Sequence, residues 1–156
     1  MLELNIPGGP RLDLEHLVLD YNGTLALDGD IIPGVMGLLS EVKKEMSVHV
    51  LTADTHGTVR DKFPPETVHL HLLPARHQDQ GKLEYVKNLG AGICACVGNG
   101  RNDALMLRKA ALGVAVLSGE GCHSLALSGA DISVPGILDA LNLFLRPARL
   151  IATLRN

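Results

Sequence analysis

Short apolar runs alternate along this chain with stretches in which apolar residues recur at every third or fourth position. The runs are nearly continuous and rarely alternate with polar residues, which is typical of strands that are buried on both faces of a sheet. We predict six such strands, over residues 17–19, 48–51, 68–72, 93–97, 113–117 and 132–134.

Four helices are predicted from stripes of apolar residues at helical spacing. The stripes consist of Val35, Leu38, Leu39, Val42 and Met46; of Leu83, Val86 and Leu89; of Ala104, Leu107 and Ala111; and of Ile137, Leu138, Leu141, Phe144 and Leu145. Strands that alternate with helices predict an α/β fold with a doubly wound, mostly parallel, Rossmann-like sheet. Residues 1–15, which contain the sequence Pro-Gly-Gly-Pro, are predicted to form a β-hairpin attached to the edge of this sheet.

The composition narrows the class of protein. The chain has 156 residues, of which 46% are hydrophobic, so we expect a single domain over residues 1–156 with an aliphatic core. Only 3% of the residues are aromatic, which argues against a protein that stacks nucleic-acid bases on aromatic side chains. The net charge of −3 argues against electrostatic binding of the phosphate backbone. No apolar run reaches the roughly 18 residues of a membrane span, and the N-terminus lacks the pattern of a signal peptide. We therefore expect a cytoplasmic protein without membrane partners.

Soft metal ligands are few in this sequence. Cys94 and Cys96 lie in an apolar run, and with Cys122 they give an odd count, so buried reduced thiols are predicted. A metal site at the Cys-x-Cys pair would need further ligands, of which His123 is the one obvious candidate. A second metal hypothesis rests on three histidines without a nearby acid: His69, His71 and His77. Histidines in such a setting are more often at the edge of the core or in solvent.

Ligands of doubly wound sheets bind at the carboxyl ends of the strands, so the residues just after each strand carry the chemistry. Asp20 follows the first predicted strand and Thr52 the second, although a threonine there is also typical of a helix N-cap. In the stretch 98–103, two glycines allow close approach of a ligand, and Asn99 and Asp103 offer hard oxygen ligands. Lys82 is predicted at the start of a helix, where the dipole disfavours a cation, which indicates a carboxylate or phosphate partner.

In this order the motifs resemble those of the haloacid dehalogenase (HAD) superfamily, and more closely those of the phosphorylation domain of P-type ion-transporting ATPases. The resemblance covers about residues 16–156. The ATPase signature Asp-Lys-Thr-Gly-Thr-Leu is similar to residues 20–25, and Leu-Thr-Gly-Asp to residues 51–54. The helix with Pro-x-x-Lys is similar to residues 82–86, and Gly-Asp-Gly-x-Asn-Asp-Ala-x-x-Leu to residues 98–107.

Two insertions of these families have no counterpart in this chain. Only 31 residues separate Asp20 from Thr52, where the ATPases insert a nucleotide-binding domain, and only 29 separate Thr52 from Lys82. The resemblance therefore implies a HAD-like domain with a minimal cap or none. Such a site is open unless another subunit covers it, so we expect a homo-oligomer.

The resemblance also implies roles for individual residues. Asp20 would be the nucleophile that forms an aspartyl-phosphate, and Thr52 and Lys82 would hold the phosphoryl oxygens. Backbone N–H groups near them would bind phosphate, with Asn102 in support. The implied Mg²⁺ site and phosphate site together comprise Asp20, Tyr21, Asn22, Thr52, Ala53, Lys82, Asn99 and Asp103, with the metal held by Asp20, Asn22, Asn99 and Asp103.

The sequence departs from the HAD pattern at two positions. Asn22 stands where HAD phosphatases have a general acid and base, and an amide cannot exchange a proton usefully at neutral pH. Asn99 stands where they have a metal-binding aspartate, and a neutral amide is a weaker ligand for a hard cation. Two hypotheses follow: a slow, Mg²⁺-dependent phosphohydrolase that acts on a small phosphate ester, or a degenerate HAD domain that binds phosphate, metal or a protein partner without efficient turnover.

Overall fold

A computed structural model describes residues 1–53, 58–64 and 66–156. Six strands form one sheet, with the bounds β3 His16–Asp20, β6 Ser47–Thr52, β7 His69–Leu72, β8 Cys94–Gly98, β9 Leu112–Val116 and β10 Ile132–Val134. Their order in the sheet is β10-β9-β8-β3-β6-β7, and every neighbouring pair is parallel. All six predicted strands are present, so the predicted parallel α/β sheet is confirmed.

Two hairpins accompany the central sheet. Strands β1 (Leu2–Asn5) and β2 (Arg11–Leu14) pair antiparallel within residues 1–15, and Leu4 and Leu14 are buried in the same core as the central strands. Strands β4 (Ala26–Leu27) and β5 (Asp30–Ile31) form a second hairpin directly after the Asp20 loop. The turn residues Asp28 and Gly29 both have positive φ, as the two central residues of a type I′ turn require.

The helices differ from the predicted ones mainly at their ends. They are α1 (Val35–Val42), α2 (Gln78–Leu89), α3 (Ala104–Lys109), α4 (Ser124–Gly129), α5 (Ile137–Leu145) and α6 (Pro147–Leu154). Met46 lies beyond α1 and Ala111 beyond α3, although both flank the core. Helix α4 was not predicted because it is short, and α6 was not predicted although Pro147 occupies a position that favours a helix start.

The sheet has a core on each face. Leu17, Leu19 and Val50 point into the larger core, with α1 and α5, whereas Val18 and Leu51 point into the smaller one, with α2, α3 and α4. This is the alternation of side chains along a strand, so successive residues of β3 serve opposite layers. None of the described helices has the length and apolarity needed to cross a membrane.

Candidate active site

The candidate site lies at the carboxyl edge of the three central strands. Strands β8, β3 and β6 are neighbours, so their ends bring Asn99, Asp20 and Thr52 to one edge of the sheet. Adjacent strands are about 4.8 Å apart, which places these side chains within reach of one small ligand. Asp103 and Lys82 reach the same place from the loop before α3 and from α2.

Lys82 joins two carboxylates in the centre of this site. Its Nζ lies 2.6 Å from Oδ1 of Asp20 and 2.6 Å from Oδ1 of Asp103. All three side chains are buried, and Lys82 is only 1% exposed. Helix α2 begins four residues before Lys82, so the lysine lies in the second turn of this helix. The prediction that Lys82 lies at the start of a helix is therefore wrong. Its depth follows from helical spacing, because Lys82 and Val86 are the two buried residues of α2.

The burial of unbalanced charge shifts the proton affinity of Asp20. Burial, and then the negative charge of Asp103, raise the pKa of Asp20 to about 7, whereas Lys82 lowers it. Burial lowers the pKa of Lys82, but the two carboxylates outweigh it and the pKa lies above its ordinary value. The lysine therefore stays charged at neutral pH, and Asp20 is poised to lose its proton when further positive charge arrives.

Asp103 organises the loop after β8. Its Oδ2 accepts hydrogen bonds from the backbone N–H of Asn99 at 3.0 Å and of Gly100 at 2.8 Å. A side chain at Gly98 would place its Cβ 2.4 Å from Cγ of Asp103, so the close approach needs a glycine. Because both oxygens of Asp103 have protein partners, the carboxylate holds Lys82 and its own loop, and direct ligation of a metal stays a prediction.

Thr24 links Asp20 to Asn99, and sequence reasoning missed it. Its Oγ1 lies 3.3 Å from Oδ2 of Asp20 and 3.1 Å from Oδ1 of Asn99. The Asn99 amide also donates from Nδ2 to the carbonyl of Gly121 at 2.9 Å, which ties the loop after β9 to the site. The quoted motif at residues 20–25 contains Thr24, and its spacing of four from Asp20 was the available signal.

Thr52 brings a buried hydroxyl to this edge of the sheet. Its side chain is 2% exposed, and its hydroxyl has no hydrogen-bond partner among the described residues. A buried hydroxyl without a partner is costly, and an anionic oxygen bound at this edge of the sheet would satisfy it. The threonine therefore fits the phosphate-binding role that was predicted for it.

The other predicted site residues differ in the exposure and in the contacts of their side chains. Tyr21 is buried with its hydroxyl donating to the carbonyl of Gly29 at 2.9 Å, so only its backbone can serve a ligand. The side chain of Asn22 is exposed, and Ala53 is half-buried. Asn102 donates from Nδ2 to Oε1 of Gln78 at 2.9 Å, which fastens its loop to the first turn of α2. Residue 54 of the second motif lies outside the described residues.

The alternative metal sites gain no support. Within the described ranges, no group of three or more histidine, cysteine, aspartate or glutamate side chains is arranged to hold a metal. Cys94 and Cys96 are buried free thiols. His123 caps α4 by accepting a hydrogen bond from the N–H of Leu125. His77 adopts a left-handed backbone conformation just before α2, whereas His69 and His71 lie on β7.

A set of oxygen donors for a hard cation does converge near Asp20. Oδ2 of Asp20 and Oδ1 of Asn99 both lie within hydrogen-bond distance of the Thr24 hydroxyl, so they face one small region. Gly23 makes room for this arrangement, since a Cβ there would lie 2.5 Å from the Asn99 amide. A carboxylate oxygen and an amide oxygen are both suitable ligands for Mg²⁺.

Comparisons with known proteins agree with the fold. No family model matches the chain. A segment of 60 residues, 38% of this chain, is 47% identical to an uncharacterized protein of Methanocaldococcus jannaschii, and it spans 64% of that relative.

Solved structures match most of the chain at low identity. One is a protein of Legionella pneumophila described as a HAD superfamily (subfamily III A) hydrolase, with TM-score 0.67, 17% identity, and 90% of this chain and 87% of that chain covered. Another is 3-deoxy-D-manno-octulosonate 8-phosphate phosphatase from Moraxella catarrhalis in complex with magnesium, phosphate and its sugar acid, with TM-score 0.65, 19% identity, and 90% and 92% covered. A zinc-transporting PIB-type ATPase in its E2.Pi state matches with TM-score 0.63 and 24% identity, over 79% of this chain and 20% of that chain. The chain therefore has the fold of the haloacid dehalogenase superfamily.

Proposed function

We propose that this protein is a metal-dependent phosphohydrolase that acts on a small phosphate ester through an aspartyl-phosphate. The observation that carries the proposal is the buried cluster in which Lys82 bridges Asp20 and Asp103 at the carboxyl edge of the sheet. A lysine so placed neutralises charge on the carboxylate and on an incoming phosphoryl group at once. The phosphatase with a similar fold that binds magnesium and phosphate supports this assignment.

Asp20 performs the covalent step in this proposal. Its carboxylate oxygen attacks phosphorus, the bond from phosphorus to the ester oxygen breaks, and the leaving alcohol takes a proton from solvent. Water then attacks the phosphorus of the acyl phosphate, which releases inorganic phosphate and restores the carboxylate. Lys82 and the Thr52 hydroxyl hold the phosphoryl oxygens in both steps, together with backbone N–H groups beside Asp20 and Ala53.

The proposed metal ligands are Asp20, the backbone carbonyl of Asn22, and Asn99, with Asp103 nearby. A divalent cation, for which Mg²⁺ is our proposal, supplies positive charge that attracts the anionic substrate and keeps Asp20 ionised. Turnover is expected to be slow, because the side chain of Asn22 cannot deliver a proton to a leaving group.

A second function is favoured by the contacts of Asn99. Its amide is already engaged with Thr24 and Gly121, an arrangement suited to a loop tether as much as to a ligand. The domain would then bind phosphate, metal or a protein partner without efficient turnover.

Single-turnover trapping separates the two functions. The protein is mixed with Mg²⁺ and acetyl phosphate, quenched in acid, and the modified peptide is identified by mass spectrometry. The phosphohydrolase proposal predicts a phosphorylated peptide that contains Asp20, and no label in Asp20→Asn. Absence of label in both proteins, with phosphate still bound, would favour the binding function.

We also propose that a second copy of the chain partly covers the open site. Several large apolar side chains are exposed on the loops and the helix around this edge of the sheet: Leu27, Leu117, Leu125 and Leu127. A monomer at micromolar concentration in sedimentation equilibrium would contradict this proposal.

A further inference from the structure

Five side chains form a cluster between the sheet and α2, away from the candidate site. The cluster, called here the histidine–tyrosine cluster, consists of His16 on β3, His49 on β6, His69 and His71 on β7, and Tyr85 on α2. Nδ1 of His16 lies 3.0 Å from Nε2 of His49, and Nδ1 of His49 lies 2.9 Å from the Tyr85 hydroxyl.

Ring contacts close the cluster on the side of β7. The His49 and His69 rings are stacked with centroids 4.9 Å apart, and the His71 and Tyr85 rings are 4.6 Å apart. Three strands and one helix therefore meet at His49. Its side chain is 5% exposed, whereas His69 and His71 lie at the exposed edge of the sheet.

The two hydrogen bonds of His49 restrict where protons can be. A neutral imidazole has one N–H donor and one acceptor nitrogen. The two hydrogen bonds that join His16, His49 and Tyr85 can therefore be donated in either direction, with one proton in each bond. If His16 carries an added proton, its Nδ1–H donates to His49, and both hydrogen bonds are kept. If His49 then also takes up a proton, its Nε2–H faces the Nδ1–H of His16, and the hydrogen bond between the two rings is lost.

The surroundings of His49 oppose its protonation. Burial, and then the imidazoles of His16 and His69, lower the pKa of His49 to about 4. Tyr85 faces it from α2, and the pKa of this hydroxyl is raised by burial and by Cys94 of β8. No carboxylate among the described contacts of His49 offsets a positive charge there.

The cluster is attached to the helix that carries Lys82. Tyr85 follows Lys82 by three residues, so the two side chains lie one turn apart on neighbouring positions of α2. A shift of this turn changes the 2.6 Å contacts of Lys82 with Asp20 and Asp103. Those contacts are short and buried, so they tolerate little displacement.

We propose that His49 and Tyr85 are positioning residues that fix α2, and with it Lys82, and that protonation of the histidine–tyrosine cluster in acid releases this attachment. Protonation of the cluster therefore affects the candidate site through the position of Lys82. The attachment of α2 stands independently of the proposed phosphohydrolase, and only the effect on turnover rests on that function.

Hydrogen–deuterium exchange of α2 amides, corrected for intrinsic rates, tests the attachment at about pH 7.5 and about pH 5. In the wild type, protection of the peptide that covers α2 should fall in acid by about fivefold, the equivalent of one lost hydrogen bond, while β9 keeps its protection. Tyr85→Phe, which keeps the ring, should show the lower protection at both pH values. His49→Gln, which keeps a donor and an acceptor but cannot be protonated, should lose the pH dependence.

His77→Asn is the matched control, since His77 precedes α2 and no described hydrogen bond or ring contact joins it to the cluster. It should exchange like the wild type at both pH values. Protection of α2 that is unchanged by acid and by Tyr85→Phe would overturn the proposal. If turnover is measurable, release of α2 in acid should lower kcat further than protonation of Asp20 alone does. This additional loss should be absent in His49→Gln, with KM nearly unchanged. Exchange that follows these expectations in a protein without turnover would uphold the cluster and refute the phosphohydrolase instead.

Discussion

The ammonium of Lys82 lies 2.6 Å from the carboxylate of Asp20, and less than a tenth of either side chain is exposed to solvent. Because Asp103 contacts the same ammonium, the buried group carries two negative charges against one positive charge when both carboxylates are ionised. Such a group is costly in an isolated fold and is stabilised by a ligand that brings positive charge. The predictions below follow from this imbalance and from the residues around it.

Replacement of the buried lysine should be among the most destabilising single changes in the chain. Lys82→Met leaves two buried carboxylates without a counterion, which we expect to cost about 3–5 kcal/mol in the free energy of unfolding near neutral pH. The loss should shrink in acid, where Asp20 takes up a proton and one buried negative charge is removed. Urea denaturation at several pH values measures it.

Lys87→Met is the control for this prediction. Lys87 lies on the same helix, but it is exposed and pairs with Glu84 at the surface. Its replacement should change the stability by less than about 1 kcal/mol. Equal losses for the two variants would show that the buried charge is not what stabilises α2.

Asp20→Asn should abolish turnover and yet stabilise the protein above neutral pH. The pKa of Asp20 is raised from 3.8 to about 7, by burial and then by Asp103, against the opposing effect of Lys82. Between these values the folded chain holds a proton that the unfolded chain has released, so stability falls as the pH rises through this window. Asparagine does not titrate. The Tm of the variant minus that of the wild type should therefore increase from about pH 4 to about pH 8.

Asp13→Asn provides the comparison for the pH series, since Asp13 is exposed and pairs with Arg11 at the surface. Its Tm difference from the wild type should show no gain toward alkaline pH. A difference for Asp20→Asn that is constant over the same range would contradict the raised pKa.

The same substitution at two threonines should have opposite effects. The Thr52 hydroxyl has no partner among the residues that the structure describes, so Thr52→Val should leave the stability unchanged or raise it. Thr24 contacts Asp20 and Asn99, so Thr24→Val should cost about 1–3 kcal/mol. Thermal unfolding without phosphate gives both values.

Phosphate binding completes the comparison of the threonines. The loss of one hydrogen bond to an anion is worth about 1.5–3 kcal/mol, so Thr52→Val should weaken binding of phosphate or vanadate by roughly tenfold or more. Calorimetric titration measures the Kd. Unweakened binding would exclude the Thr52 hydroxyl from the phosphate site.

Asn99→Asp should exchange stability for metal affinity. The amide donates to the Gly121 carbonyl at 2.9 Å, and a carboxylate there would meet that oxygen with repulsion. We expect the metal-free variant to unfold at a lower temperature than the wild type. A carboxylate is the stronger ligand for a hard cation, so Mg²⁺ should bind the variant more tightly in calorimetry and restore its Tm. Binding that is unchanged or weaker would place Asn99 outside the metal site.

The sequence predicted the sheet and the convergence of its loops for a simple physical reason. Continuous apolar runs are strands buried on both faces, and parallel strands put their carboxyl ends at one edge. The residue that follows each run, such as Asp20, is therefore placed by chain direction alone. The short helix α4 and the hairpin β4–β5 were not predicted, because neither has enough residues for a periodic pattern. The pair Asp28-Gly29 is nevertheless a strong hairpin signal.

Contacts across the site could not be predicted from spacing. That Lys82 reaches both Asp20 and Asp103 depends on where α2 begins and on the depth of its second turn, which tertiary packing sets. The tether from Asn99 to Gly121 joins loops 22 residues apart, and nothing in either loop indicates the other. The histidine–tyrosine cluster arises from the strand order, which places β7 beside β6.

The residue at position 22 should limit the rate by proton transfer, while phosphate binding stays largely intact. The side chain of Asn22 is exposed and follows Asp20 by two residues. An amide there can orient a water or a leaving oxygen but cannot deliver a proton. Asn22→Asp supplies a carboxyl group at this place. We expect turnover to rise toward the ~10²-fold lower end of general acid–base effects. The gain should be larger for alkyl esters, whose leaving groups need a proton, than for p-nitrophenyl phosphate. Decay of the phosphorylated protein should also accelerate, because the new carboxylate can activate the attacking water.

Asp20→Asn must remain inactive in both backgrounds. If Asn22→Asp changes neither step while Asp20→Asn is inactive, the rate is limited elsewhere, and the weak metal ligand at Asn99 becomes the next position to change.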